Sequence, residues 1–213
     1  GNGSDASFDL RGNVTTAGFQ NWSVPVLNLR DNEGDPSDDL ILTAGGDVTI
    51  SELNRRMGLK KAGSILSNLN LTIDAPSGNV AIDGVSFSGS SDIALGNVTI
   101  SNAANVSLGG GFSDNGTGNG IDGNFIMTGI LDTVTLNATS GSSYLIGGEL
   151  SINSAHVVVD ANVTLETAGN LSITATGSTG NSQSGIDVNA IAGGTTTLRA
   201  LGSSNLTLNG TSG

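Results

Sequence analysis

Asn97-Val-Thr-Ile100 places a polar residue ahead of an apolar, hydroxyl, apolar triplet. In an extended chain successive side chains leave opposite faces, so Val98 and Ile100 point one way and Thr99 the other. The phrase recurs as Asp47-Val-Thr-Ile50, Asn70-Leu-Thr-Ile73, Asn105-Val-Ser-Leu108, Thr133-Val-Thr-Leu136, Glu149-Leu-Ser-Ile152, Asn162-Val-Thr-Leu165, Asn170-Leu-Ser-Ile173 and Asn205-Leu-Thr-Leu208. Such self-similarity marks a repeat architecture in which each unit buries its apolar side against its neighbours. Val48, Ile50, Leu71, Ile73, Val98, Ile100, Val163, Leu165, Leu171 and Ile173 are therefore expected inside, and Thr49 and Thr99 outside.

Between the phrases lie shorter alternating runs, Val80-Ala-Ile82, Val85-Ser-Phe87, Ile93-Ala-Leu95, Val157-Val-Val159 and Ile186-Asp-Val188, separated by corners rich in Gly, Asn and Ser. Steps such as 150 to 171 and 186 to 206 predict passes of roughly 20 residues, each with two or three short strands. The fold class expected is all-β, a right-handed parallel β-helix spanning 1–213 as a single solenoid domain. An antiparallel sandwich would favour longer strands, hairpin turns and aromatic core residues.

Composition agrees. The 213 residues include 33 glycines, 3% aromatics and 36% hydrophobics, which suits a narrow core built from Val, Leu, Ile and Ala. Only 12% of residues are charged and the apolar triplets recur, so the chain is expected to fold. A net charge of -12 with seven basic residues argues against a nucleic-acid partner, which needs clustered Lys and Arg. There is no cysteine, so disulfides and Cys metal sites are excluded. No apolar run approaches the roughly 18 residues of a membrane span, so no membrane insertion is expected. The start at Gly1 without a signal sequence reads as a processed or excised piece of a longer chain.

The stretch Leu40-Ile-Leu-Thr-Ala-Gly-Gly-Asp-Val-Thr-Ile50, with its echoes Leu71-Thr-Ile-Asp-Ala-Pro-Ser-Gly-Asn-Val80 and Leu165-Glu-Thr-Ala-Gly-Asn-Leu-Ser-Ile173, resembles the repeat region of filamentous haemagglutinin-type exoproteins over roughly residues 40 to 210. That resemblance implies a long right-handed β-helix secreted to the cell surface by two-partner secretion, serving adhesion, biofilm cohesion or toxin display. The family's amino-terminal secretion signature has no counterpart here, which implies an interior or distal segment.

Three stretches interrupt the pattern. Ser51 to Ser67 holds four of the seven basic residues, Arg55, Arg56, Lys60 and Lys61, with Leu53, Met57 and Leu59. It is expected as a short helix or lateral loop at 51–67, either a solvated excursion or a contact surface for an acidic neighbour. Asp31, Glu33, Asp35, Asp38 and Asp39 crowd five carboxylates into nine residues. Their spacing misses the EF-hand loop, so they read as a solvated acidic turn or as weak calcium ligands, calcium being the one candidate cofactor. The segment 109–123 is expected as a flexible glycine-rich corner or, behind that, an isolated calcium site, although Asp114 and Asp122 stand alone; no Lys follows it, so it is not a phosphate loop.

Catalytic ingredients are sparse. His156 is the single histidine and is expected to cap the strand Val157-Val-Val159, and Trp22 and Tyr144 are the one tryptophan and the one tyrosine, too few for an aromatic sugar platform. No catalytic residue is assigned and an enzyme is not expected. Thr49, Thr72, Thr99, Thr135, Thr164 and Thr207 raise a threonine ladder of the ice- or glycan-binding kind, but their irregular intervals place them on different faces. Twelve Asn-X-Ser/Thr sequons occur, and seven carry Val or Leu in the middle as part of the strand phrase or its partial copy at Asn13. There Asn is expected because it tolerates a left-handed corner. Asn21, Asn115 and Asn137 are the better glycosylation candidates. The function expected is a secreted, rod-like adhesin or matrix segment whose partners are flanking coils of its own parent chain, other copies of itself, or host and matrix glycans. The alternatives are a filament subunit polymerising end to end and, behind it, a polysaccharide-active enzyme.

Overall fold

The computed structural model describes residues 7–24, 26–29, 39–55, 69–83, 95–114, 118–137, 143–177, 185–189 and 194–210. Among them every regular element is a strand, and nearly every strand pair is parallel. Parallel pairing requires the chain to travel away and return before each partner is laid down.

The strands fall into two columns and a third set. The first contains Val14–Thr16, Asp39–Ala44, Asn70–Asp74, Val98–Ser101, the start of Phe125–Asn137, the start of Leu150–Val159, Leu171–Ala175 and Leu206–Gly210. The second contains Gln20–Trp22, Val48–Ile50, Val80–Ile82, Val106–Gly109, the ends of the same two long strands, and Gly185–Val188. Because Phe125–Asn137 and Leu150–Val159 run through the corner without a break, they join these columns into one thirteen-stranded sheet. The third set of strands comes as two separate three-stranded sheets, one of Ser7–Leu10, Val26–Leu29 and Leu53–Arg55 and the other of Ser143–Ile146, Thr164–Thr167 and Thr197–Ala200.

Equivalent residues stack on one another. Val98 lies between Leu71 and Phe125, and Ile100 between Ile73 and Met127. All ten residues expected inside are at most 1% exposed, whereas Thr49 and Thr99 are half-buried on the outer side. Each buried aliphatic side chain contributes about 1.5–3 kcal/mol relative to leaving it in water, which is what a core this narrow must rely on.

Pass length departs from the expectation. Register intervals run from 19 residues (Ser7 to Val26) to 35 (Leu171 to Leu206), and 27 separates both Leu71 from Val98 and Val98 from Phe125. The step from 150 to 171 is a true register pair, the shortest in the first column. Residues 186 and 206 are not equivalent, since Ile186 pairs with Val157 and Leu206 with Leu171.

Two interruptions also read differently. The expected excursion at 51–67 begins with a strand, Leu53–Arg55, paired to Leu27–Leu29 and anchored by Leu53 at 1% exposure; residues 56–68 lie outside the described set. The glycine-rich 109–123 is more than a corner. Phe112 and Ile121 are fully buried, and Ser113–Asp114 pairs with Gly118–Asn119 in the single antiparallel ladder among the described residues. Phe112 packs on Phe125 and Tyr144 at ring-centroid distances of 5.3 and 6.0 Å, so Tyr144, solitary in sequence, belongs to an aromatic cluster.

Candidate functional site

The polar residues that open six of the nine phrases, and the matching Asn13 and Asn124, serve the next pass of the chain. Asn70 Oδ1 accepts the backbone N–H of Asn97 at 2.7 Å, Asn97 Oδ1 that of Asn124 at 2.8 Å, and Asn124 Oδ1 that of Glu149 at 2.9 Å. Asn13 does the same for Ile41, Asn170 for Asn205, and Asn162 for Thr195. At the second column Asp47 Oδ1 accepts the N–H of Asn79, and Asn105 Oδ1 that of Thr133. These corner N–H groups fall where the strand ladder has not begun, so a side-chain acceptor from the adjacent pass satisfies them. The expected left-handed role does not hold generally: among the described non-glycine residues only Asn102 and Asn162 have positive φ. Phrase asparagines are chosen for a carbonyl that reaches one pass along the stack.

Aspartates also link neighbouring passes, through side-chain donors. Asp74 Oδ1 accepts from Ser101 Oγ and Asn102 Nδ2, and Asp160 Oδ1 from Asn189 Nδ2. Of the five crowded candidate calcium ligands only Asp39 lies in the described residues. It opens the strand Asp39–Ala44, and its Oδ1 accepts from Asn70 Nδ2 at 2.7 Å. Asp31, Glu33, Asp35 and Asp38 lie outside, as do Arg56, Lys60 and Lys61; the described residues bring no three metal-binding side chains together.

The threonines do not form one ladder. Thr72, Thr99 and Thr207 share the outward row of the first column with Ile41, Ile126, Ser151 and Ser172, while Thr49 and Thr135 lie in the second column and Thr164 in the third set. That row presents small hydroxyls interrupted by two isoleucines.

His156 does not cap a strand; it sits within Leu150–Val159, 3% exposed, with Nε2 3.0 Å from Asp187 Oδ2 on the next pass. Ser154 lies two residues before it, but its hydroxyl donates to the backbone carbonyl of His156 at 2.7 Å rather than to the ring. Nucleophilic catalysis needs the serine hydroxyl on the imidazole, so these three residues form a structural clasp. Beside them the corner opens into a recess of about 550 Å³ lined by Gly129, Ile130, Leu131, Asn153, Ser154, Ala155, Thr176 and Gly177. Its origin is a register difference: Met127 to Thr133 spans the same corner as Ile152 to His156, so the first pass bulges by two residues and Gly129 takes φ 66°.

Tyr144 donates its hydroxyl to the Leu108 carbonyl at 3.0 Å. Burial, and then the negative charge of Asp160, hold its phenol well above the ordinary tyrosine range. Of the glycosylation candidates, Asn21 is exposed in Gln20–Trp22, Asn137 is half-buried with Nδ2 donating to Ser107 Oγ at 2.9 Å, and Asn115 lies outside the described residues.

Comparison with protein-family models, curated proteins and solved structures finds no match. The chain's own geometry therefore carries the functional argument.

Proposed function

We propose that this chain is a segment of a right-handed parallel β-helix, a stiff rod that works as a structural or adhesive part of an extracellular fibre. The observation that carries the reading is the stack of in-register parallel strands, bound along one axis by asparagine and aspartate side chains that reach from pass to pass. Each pass adds about 4.8 Å, so the first column alone extends roughly 35 Å, and the architecture lengthens by adding passes without changing its cross-section. Outward positions carry mainly small hydroxyl and amide side chains, a surface suited to hydrogen bonding with glycans or matrix polymers.

Two measurements test this together. In small-angle X-ray scattering, tandem copies of the chain joined end to end should lengthen by roughly 35 Å per copy at constant cross-section, and antibodies raised against the chain should label intact cells of the source organism. A compact globular particle, or labelling only after cells are broken open, would reject the reading.

A further inference from the structure

The twelve sequons are not equivalent once the chain is folded. Asn70 Nδ2 donates to Asp39 Oδ1 at 2.7 Å, Asn105 Nδ2 to Asn79 Oδ1 at 2.9 Å, and Asn137 Nδ2 to Ser107 Oγ at 2.9 Å. In each case the nitrogen that would carry a sugar donates to a side chain of the neighbouring pass, about 4.8 Å away, a contact that an attached hexose would crowd. Asn21 differs. It lies at the centre of the strand Gln20–Trp22, exposed on the outer face, in register with Thr49. Its carbonyl oxygen accepts a hydrogen bond from the hydroxyl of Ser23, the sequon's own third residue, and no hydrogen bond among the described residues holds its amide nitrogen.

We propose that Asn21 is an acceptor site for an N-linked sugar on the folded chain, and that Asn70, Asn105 and Asn137 are closed to the same reaction by the fold. Asn21 Nδ2 would form a bond to the anomeric carbon of a glycosyl diphosphate donor. The bond from that carbon to the diphosphate oxygen breaks with its electron pair leaving on the diphosphate, and the nitrogen loses one proton to a base of the transferase. A sugar at Asn21 leaves every inter-pass hydrogen bond intact, because Asn21 contributes none through its side chain. The inference is independent of the rod reading.

The test uses the whole chain, made in a host without asparagine glycosylation. The folded protein and a denaturant-unfolded sample are each incubated with a soluble asparagine glycosyltransferase and UDP-glucose, and occupancy is mapped by peptide mass spectrometry. Folded protein should carry hexose at Asn21, with occupancy at Asn70, Asn105 and Asn137 lower by roughly tenfold or more, since those sites react only through local opening. In the unfolded sample the difference should disappear. Ser23→Ala should abolish the modification at Asn21 without shifting the melting temperature. Comparable occupancy of Asn70 or Asn105 in the folded chain, or none at Asn21 in either sample, would overturn the proposal.

Discussion

The side-chain oxygen of Asn97 accepts the backbone N–H of Asn124 at 2.8 Å, across one full pass of the chain. Asn97 is itself served by Asn70 in the same way, so three consecutive passes are joined by two identical contacts. The contact lies at the surface, and removing the acceptor leaves the Asn124 amide to water. We predict that Asn97→Ala lowers stability by about 1 kcal/mol, or roughly 2–4 °C in melting temperature for a chain of this size. Asn97→Asp, which keeps the acceptor, should lose less. Calorimetric melting of both variants checks this, and equal losses would argue that the acceptor is not what Asn97 supplies.

Core register makes a sharper demand. Ile100 is fully buried between Ile73 and Met127, and Thr99 faces outward beside it. Ile100→Ala should cost about 2–5 kcal/mol by leaving a cavity. Ile100→Asp should unfold several passes by placing an unpaired charge in an apolar core. Thr99→Ala should stay within about 0.5 kcal/mol. Denaturant titration would expose a wrong register by reversing the order of Ile100→Ala and Thr99→Ala.

Glycine at position 78 answers to packing between passes. A Cβ there would collide with the backbone carbonyl of Gly46 and come within 2.5 Å of Asp47 N, whereas a Cβ on Gly12 would meet nothing within 4 Å. Gly78→Ala should therefore destabilise by several kcal/mol or prevent pairing of the two corners, because backbone on the adjacent pass cannot yield as a side chain would. Gly12→Ala should be neutral or stabilising by up to about 1 kcal/mol. Thermal melts of the two variants separate a close-approach glycine from an ordinary turn glycine.

Tyr144 gives the fold an alkaline limit. Its phenol is held above the ordinary value of 10.0 in the folded state, so the unfolded chain releases this proton first. The stability contributed by Tyr144 is fully present below about pH 10 and is lost as pH rises beyond it, since ionisation then favours the unfolded state. Tyr144→Phe should start less stable by about 1 kcal/mol, having lost the hydrogen bond to Leu108, and should show a weaker decline above pH 10. Melting temperatures across pH 8 to 11 read both effects, and parallel curves for the two proteins would contradict the assignment.

Alternation along the strand was legible from residue types alone. Whether Val98 points in and Thr99 out depends only on the two-residue period of an extended chain and on the preference of apolar atoms to leave water, both local to four residues. That reasoning located the core, the all-β class and the recurrence of strands. It also carried His156 to the wrong role and the phrase asparagines to the wrong reason. Asn97 meets Asn124, His156 meets Asp187, and Phe112 meets Tyr144 only across the interval between neighbouring parallel strands. Which residues meet then depends on the summed lengths of the corners between them. Those lengths vary from pass to pass, as Met127 to Thr133 shows by spanning a corner that Ile152 to His156 crosses with two fewer residues. Strand alternation is a property of the backbone and could be read directly. Inter-pass partners are set by closure of the whole loop, which only the folded chain decides.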